Sequence, residues 1–163
     1  MDLSPTSVIV LGLLEFGAAT PYELKARMAD SVGNFWSLPH SALYAEPERL
    51  AKQGLVEERR EDGGRRRRTF SITDAGRRAL AEWRARPTEE PAELRDPALL
   101  KLFFGADPGA LAAEQLPAHE ARLARYEEIR TRADGTAPTG PFLALDAGIR
   151  HEREWIAFWR GLA

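Results

Sequence analysis

Between Gly54 and Thr73 the hydrophobic pattern of the chain changes period, and that change restricts its fold more than any other feature. Leu55-Val56-Glu57-Glu58-Arg59-Arg60 and the stretch Arg65 to Ile72 flank Glu61-Asp62-Gly63-Gly64, whose Asp-Gly-Gly centre supplies the positive φ that a tight hairpin needs. Phe70 and Ile72 alternate with Thr69 and Ser71, as a strand buried on one face requires. On both sides the period returns to that of helices. Ser4-Pro5 reads as N-cap and first turn of a helix from about Pro5 to Phe16, apolar nearly all round and stopped by Gly17. The run Val8 to Leu11 would also suit a buried strand; the cap pair and Gly17 decide for helix. Thr20-Pro21-Tyr22-Glu23 is a capping box that opens a second helix, to about Met28 or Asp30. After a connection from Ser31 to Pro39, a third helix runs from near His40 to Gln53, and Thr73-Asp74 caps a fourth through Leu80 and Trp83. Helix, helix, helix, hairpin, helix is the order of a winged helix-turn-helix.

Pro87, Pro91 and Pro97, set among Glu and Arg, mark a boundary between about Ala85 and Pro97. Beyond it the pattern is helical throughout. A short apolar helix from Pro97 to Phe104 ends at Gly105, and a longer one capped by Asp107-Pro108 reaches about Arg132, bent or broken at Pro117. After a loop from Asp134 to Pro141, a last helix from about Phe142 to Trp159 carries two apolar stripes. Phe142, Leu145, Ile149, Ile156 and Trp159 form one, interrupted only by Glu152, and Ala144, Gly148, Trp155, Phe158 and Leu162 the other. Two stripes need two surfaces to pack on, and one can be a second subunit. Phe142, Leu145, Ile149, Trp155, Ile156 and Trp159 are therefore the candidate dimerisation residues. The expected fold is mainly α with a small β-hairpin wing: residues 1–86 a winged helix-turn-helix, residues 87–163 a helical dimerisation domain.

A recognition helix meets DNA with its N-terminal end, where side chains reach base edges and free backbone N–H groups reach phosphates. On the third helix that end offers His40, Ser41, Ala42 and Tyr44, with Lys52 near its close, while Leu43 and Leu50 hold it to the core. A packed helix with a polar exposed side would show the same composition. The hairpin adds weight: Arg59 and Arg60 on one strand and Arg65, Arg66, Arg67 and Arg68 on the other surround one turn, offset by Glu57, Glu58, Glu61 and Asp62. Guanidinium forks suit phosphate oxygens, although a salt-bridged, solvated ribbon is the competing reading. Charge follows the same division: 14 Lys and Arg against 12 Asp and Glu in residues 1–86, and 9 against 13 in residues 87–163.

The segments Pro39 to Tyr44, Leu50 to Val56, and Arg68 to Leu80 with Trp83 together resemble the PadR-like transcriptional regulators. The pattern combines a Tyr in the recognition helix, a Gly-Leu-Val exit, an Arg-rich wing and a Thr-x-x-Gly-x-x-x-Leu helix. Asp96 to Gly105 and the aromatic last helix resemble the helical dimerisation domain of the longer members. The resemblance implies a homodimer that represses transcription and leaves double-stranded DNA when an effector binds; two-fold docking of the third helices then calls for an inverted-repeat operator. The chain departs from the pattern at Phe70, where Tyr is commoner, and at Pro47, inside the third helix, where the family usually has an apolar residue. An interior Pro costs on the order of 3 kcal/mol or bends the helix. Pro47 also supports a rival reading, a winged helix that contacts only proteins and offers its arginines to an acidic partner.

Other chemistries find little support. Cysteine is absent, which excludes disulfides and thiolate sites and fits a reducing cytoplasm. His40, His119 and His151 lack metal-ligand spacing and read as surface or interface residues; no metal or other cofactor is expected. Gly63-Gly64 is followed by no Gly-Lys-Ser/Thr, and Ser37 with His40 lacks an orienting acid, so no enzyme is indicated. The start has no basic segment and Val8 to Leu14 is too short to span a bilayer, so a cytoplasmic protein without membrane contact is expected. Trp36, Trp155 and Phe158 are candidates to line a pocket for a small aromatic or hydrophobic effector, with core or dimer packing the alternative for them.

Overall fold

The computed structural model describes residues 3–60, 67–88, 93–132 and 139–163. It divides into two compact units, residues 1–89 and 90–163. In the first, α1 (Pro5–Glu15), α2 (Pro21–Ala29), a 3-10 turn (Val32–Asn34) and α3 (Ala42–Lys52) precede β1 (Val56–Arg60), β2 (Arg68–Ile72) and α4 (Asp74–Ala85). Each helix start follows from a cap. Ser4 Oγ accepts from Ser7 N–H; Thr20 and Glu23 close a complete capping box; Thr73 Oγ1 accepts from Gly76 N–H. The guanidinium of Arg27 donates to the carbonyls of Leu13, Gly17 and Ala18, satisfying the end of α1.

Val10, Leu11 and Leu14 of α1 are buried among Leu24, Leu43, Leu50, Phe70 and Leu80, so α1 is the central helix of this unit. At the end of α3, Gly54 adopts φ +74°, its N–H bonds the Ala51 carbonyl at 3.0 Å, and Leu55 N–H bonds the Leu50 carbonyl at 3.0 Å. This left-handed cap turns the chain directly from α3 into the hairpin. The strands pair antiparallel, with Val56 opposite Ile72 and Arg60 opposite Arg68. A third edge was not anticipated: Ala19, between α1 and α2, exchanges two 2.9 Å backbone hydrogen bonds with Phe70 and anchors β2 from its other side. The hairpin turn itself, Glu61 to Gly64, lies outside the described residues, as do Arg65 and Arg66.

The second unit holds α5 (Pro97–Phe103), α6 (Pro108–Arg132) and α7 (Thr139–Arg160). Asp96 caps α5 by accepting from the N–H groups of Ala98 and Leu99. The expected break at Pro117 does not occur, since α6 runs without interruption from Pro108 to Arg132. An interior proline removes one backbone hydrogen bond, and the surface shared with α7 along the helix outweighs that loss. Ion pairs Arg160–Glu120 (2.6 Å) and Arg153–Glu127 (2.8 Å) run in opposite chain directions, so α6 and α7 are antiparallel. Trp159 is fully enclosed with Ala98, Leu111 and Ala112, and its indole N–H has no acceptor among the described residues. No described helix is long and apolar enough to cross a membrane.

His119 corrects the reading of the histidines as surface or interface groups. It is 8% exposed, and its Nδ1 lies 2.6 Å from the carboxylate of Glu152, itself 2% exposed. Arg122 donates to the other Glu152 oxygen at 3.2 Å. The single polar interruption of the α7 stripe is thus a buried carboxylate with two partners on α6, since a buried charge is tolerated only when paired. His40 and His151 are exposed.

Candidate nucleic-acid interface

The buried face of α3 is Leu43, Glu46, Pro47 and Leu50. On the opposite stripe, Ser41, Tyr44, Ala45 and Lys52 are exposed, with Glu48 half-buried among them. Pro47 leaves the Leu43 carbonyl without its intrahelical donor, a cost of about 3 kcal/mol in an exposed helix. Here the ring is fully buried, and the helix is continuous from Ala42 to Lys52. Proline on the packed side is compensated by the core, and the exposed stripe is left intact.

Glu46, beside it, is also buried and has three donors. Ser7 Oγ of α1 donates at 2.7 Å, Arg49 Nε at 2.9 Å, and a second Arg49 nitrogen at 2.5 Å. Arg49 also reaches Ser7 Oγ at 2.8 Å, and Ser7 in turn lies 2.7 Å from Ser4 Oγ. Because the Ser7 proton goes to Glu46, Ser4 supplies the hydrogen in the bond between the two serines. The Arg49 hydrogen bonds, and after them that of Ser7, hold the Glu46 carboxyl below the usual carboxylate range against the opposing effect of burial. This cluster fixes the rotation of α3 on α1. Sequence reasoning missed it, and a Glu one turn before Arg on a helix gave no sign of burial.

At the start of α3 the backbone N–H groups do not wait for phosphate. Ala42, Leu43 and Tyr44 donate to the carbonyls of Pro39, His40 and Ser41 at 3.0 to 3.2 Å, so the helix opens in a tight turn. The side chains there are free instead: the His40 ring and the hydroxyls of Ser41 and Tyr44 make no hydrogen bond to a described residue. Lys52 is likewise exposed and unpaired among the described residues.

The wing differs from a row of free cations. Arg68 donates to Glu58 on β1 at 2.7 Å and to Glu48 on α3 at 2.5 Å. Arg60 donates to the same Glu58 oxygen at 2.6 Å, and Arg67 reaches Glu23 on α2 at 2.6 Å. Arg68 also lies over the Phe70 ring, 5.6 Å from its centroid. Hydrogen bonds from Arg68 first and Arg60 second lower the Glu58 carboxyl to about 2, and Glu58 with Glu48 raises the Arg68 guanidinium. Arg59 is exposed and has no ion pair with a described residue. Glu58 and the arginines were legible as a charged ribbon; Glu23 and Glu48, 44 and 20 residues from their partners, were not.

Among the aromatic candidates, Trp155 and Phe158 meet edge to face with centroids 5.6 Å apart, and Trp155 stacks on Trp159 at 6.3 Å and on His119 at 6.0 Å. Trp36 belongs to the other unit and is exposed. Of the dimerisation candidates, Ile149, Ile156 and Trp159 are buried within their own unit. Leu145 and Trp155 are half-buried and Phe142 is exposed.

Comparison with known proteins agrees with this architecture. Residues 10–82 match the model of the transcriptional regulator PadR-like family, and residues 94–160 match a second model described as virulence activator alpha C-term. The negative transcriptional regulator PadR of Bacillus subtilis is 25% identical over 164 residues, covering 91% of this chain and 90% of that protein. A probable transcriptional regulator of Mycobacterium tuberculosis is 29% identical over 162 residues, covering 85% of each. The crystal structure of Bacillus subtilis PadR in complex with operator DNA superposes with a TM-score of 0.83 at 23% identity over 95% of both chains. The same protein in complex with p-coumaric acid gives 0.77 at 23% identity over 98% of this chain and 96% of that one. With both halves matched in order, residues 10–82 form a PadR-like domain and the chain is a DNA-binding transcriptional regulator of that kind.

Proposed function

We propose that the chain acts as a homodimeric repressor whose two α3 helices enter successive major grooves of an inverted-repeat operator, roughly 34 Å apart, with the wings on flanking phosphates. The observation that carries this reading is the division of α3. Leu43, Glu46, Pro47 and Leu50 fix its inner face, while His40, Ser41 and Tyr44 stand unpaired at its exposed N-terminal end. Ala42 is half-buried at the first helical position, where its small side chain lets a base edge approach closely. Tyr44 and Ser41 suit base or phosphate oxygens, and Lys52 and Arg59 suit backbone phosphates.

The second subunit packs on the helical unit. Phe142 and the half-buried Leu145 and Trp155 remain available to it, together with the exposed Leu100, Phe103, Phe104 and Leu143. Phe103 and Phe104, 83% and 77% exposed, are the largest apolar groups this unit shows to solvent, and such surface in a soluble protein marks an association site. In this reading a small effector releases the protein from DNA, and the p-coumaric acid bound by Bacillus subtilis PadR supports an aromatic one. Half-buried Trp155 and exposed Phe158 offer ring faces for it.

The test is fluorescence anisotropy with duplex from upstream of the chain's own gene and a scrambled duplex of equal composition. Tight, salt-sensitive binding that prefers the first duplex is expected, weakened by roughly tenfold in Tyr44→Ala, about the value of one good base contact. Equal, weak binding to both duplexes would sink the reading. Millimolar p-coumaric acid serves as the first effector probe, with loss of anisotropy as the expected response.

A further inference from the structure

The wing of a DNA-binding regulator is expected to offer its arginines to phosphate, yet three of the four described wing arginines are already held by carboxylates. Arg60, Arg67 and Arg68 contribute three positive charges; Glu23, Glu48 and Glu58 contribute three negative ones, from α2, α3 and β1. At 2.5 to 2.7 Å these pairs leave the base of the wing nearly neutral. The strand register makes this arrangement specific. Arg60 stands directly opposite Arg68, a like-charge pair that repels, and Glu58, two residues away on β1, bridges both through one oxygen. Glu48 has a second feature: it lies on the same α3 stripe as Tyr44 and Lys52, so Arg68 joins the face of the recognition helix to the wing.

We propose that Glu48, Glu58 and Glu23 are specificity-determining residues that suppress sequence-independent DNA binding. They hold the wing guanidiniums in a fixed relation to α3. A phosphate backbone lying at random across the surface meets a neutral patch. A duplex that seats α3 brings its flanking phosphates to the spare N–H groups of guanidiniums already positioned, because each guanidinium carries five donors and spends only one or two on its carboxylate. The inference rests on the reading that α3 and the wing meet DNA together.

Non-specific affinity tracks the number of phosphates neutralised, each adding about 0.9 to the slope of log K against log salt. Glu48→Gln in the full chain removes one of the two carboxylates paired with Arg68 and leaves one positive charge of the wing uncompensated. Affinity for scrambled duplex should rise by roughly three- to tenfold and the salt slope should steepen by about one, while affinity for the upstream duplex gains less, so that discrimination falls. Glu58→Gln should act in the same direction. Glu57→Gln is the control: it removes one negative charge from the same strand, but Glu57 is exposed and pairs with no described residue. A merely structural role for Glu48 would lower both affinities together and leave the slope unchanged. That result, an unchanged scrambled-duplex affinity, or an equal rise in Glu57→Gln overturns the inference. If the unaltered protein binds neither duplex at about 50 mM salt, the DNA-docking reading falls and this inference with it. If it prefers the upstream duplex and Glu48→Gln leaves scrambled binding unchanged, only the inference falls.

Discussion

Gly76→Ala sets helix propensity against packing, and the two predict opposite signs. Gly76 is the third residue of α4, where alanine is favoured over glycine by at most about 1 kcal/mol. A Cβ at this position would lie 2.2 Å from the Leu55 carbonyl oxygen and 2.8 Å from Ile72 Cγ1. The first distance is 0.8 Å short of the 3.0 Å that real Cβ contacts respect. Leu55 O cannot retreat freely, because it accepts the Thr73 N–H at 3.1 Å, and Thr73 Oγ1 donates to the neighbouring Gly54 carbonyl at 2.8 Å. Relief therefore requires α4 to lift from the strands or the Gly54 turn to open. Strain at the upper end of the overpacking range, about 3 kcal/mol, less the propensity gain, leaves a net loss of about 2 kcal/mol. For a unit of this size that lowers the midpoint by roughly 8 to 16 °C. Thermal and urea unfolding of the full chain, followed by circular dichroism, reads the change. An unchanged or raised midpoint would refute the steric argument and show that propensity decides at this position.

Glu46→Ala leaves Arg49 and Ser7 without their shared acceptor beneath α3; it should cost about 2 kcal/mol and weaken operator binding, and denaturant midpoints with anisotropy on the same preparation check both effects. Glu58 is more acidic in the folded chain, at about 2, than its ordinary value of 4.5. Its contribution is therefore present above about pH 4.5 and disappears as pH falls toward 2, so Glu58→Gln should flatten the acid limb of a midpoint-against-pH curve and leave the neutral limb's slope unchanged. Phe103→Ser with Phe104→Ser should shift the protein from dimer to monomer at micromolar concentration without unfolding it, because both rings are already exposed in the single chain; sedimentation velocity decides, and a persistent dimer would move the interface elsewhere.

What could be read from the sequence was local. Ser4, Thr20, Thr73 and Asp96 cap helices by bonds spanning two or three residues, and their neighbours in sequence suffice to identify them. The Gly54 and Gly105 turns are legible for the same reason. What escaped depends on pairs that only the fold brings together. Ala19 carries no strand signal, yet it hydrogen-bonds with Phe70. Ser7 and Glu46 are 39 residues apart and His119 and Glu152 are 33 apart. The last pair left one trace, since a lone Glu in an apolar stripe is costly unless something buried receives it. The dimerisation candidates show the converse. Periodicity marked Ile149, Ile156 and Trp159 as apolar, but they are buried within their own unit, and no pattern in α7 alone distinguishes a partner helix of the same chain from one of another.

Helix α3 shows how these two kinds of information combine. Eleven residues are too few for a stable helix in isolation, and Pro47 removes a hydrogen bond from its middle. Its persistence comes from the side facing α1, through Leu43, Pro47, Leu50 and the Glu46 cluster, and from the Gly54 cap at its end. The exposed stripe contributes little to that stability. On the proposed docking of α3, His40, Ser41, Tyr44 and Lys52 can therefore be exchanged, and the sequence read altered, at small cost to the fold. Glu48 is the exception on this stripe: its carboxylate is tied to Arg68, so a change there alters the wing as well. On the proposed docking, base preference and wing charge are thus separable along this stripe of α3 except at half-buried Glu48, where the structure joins them.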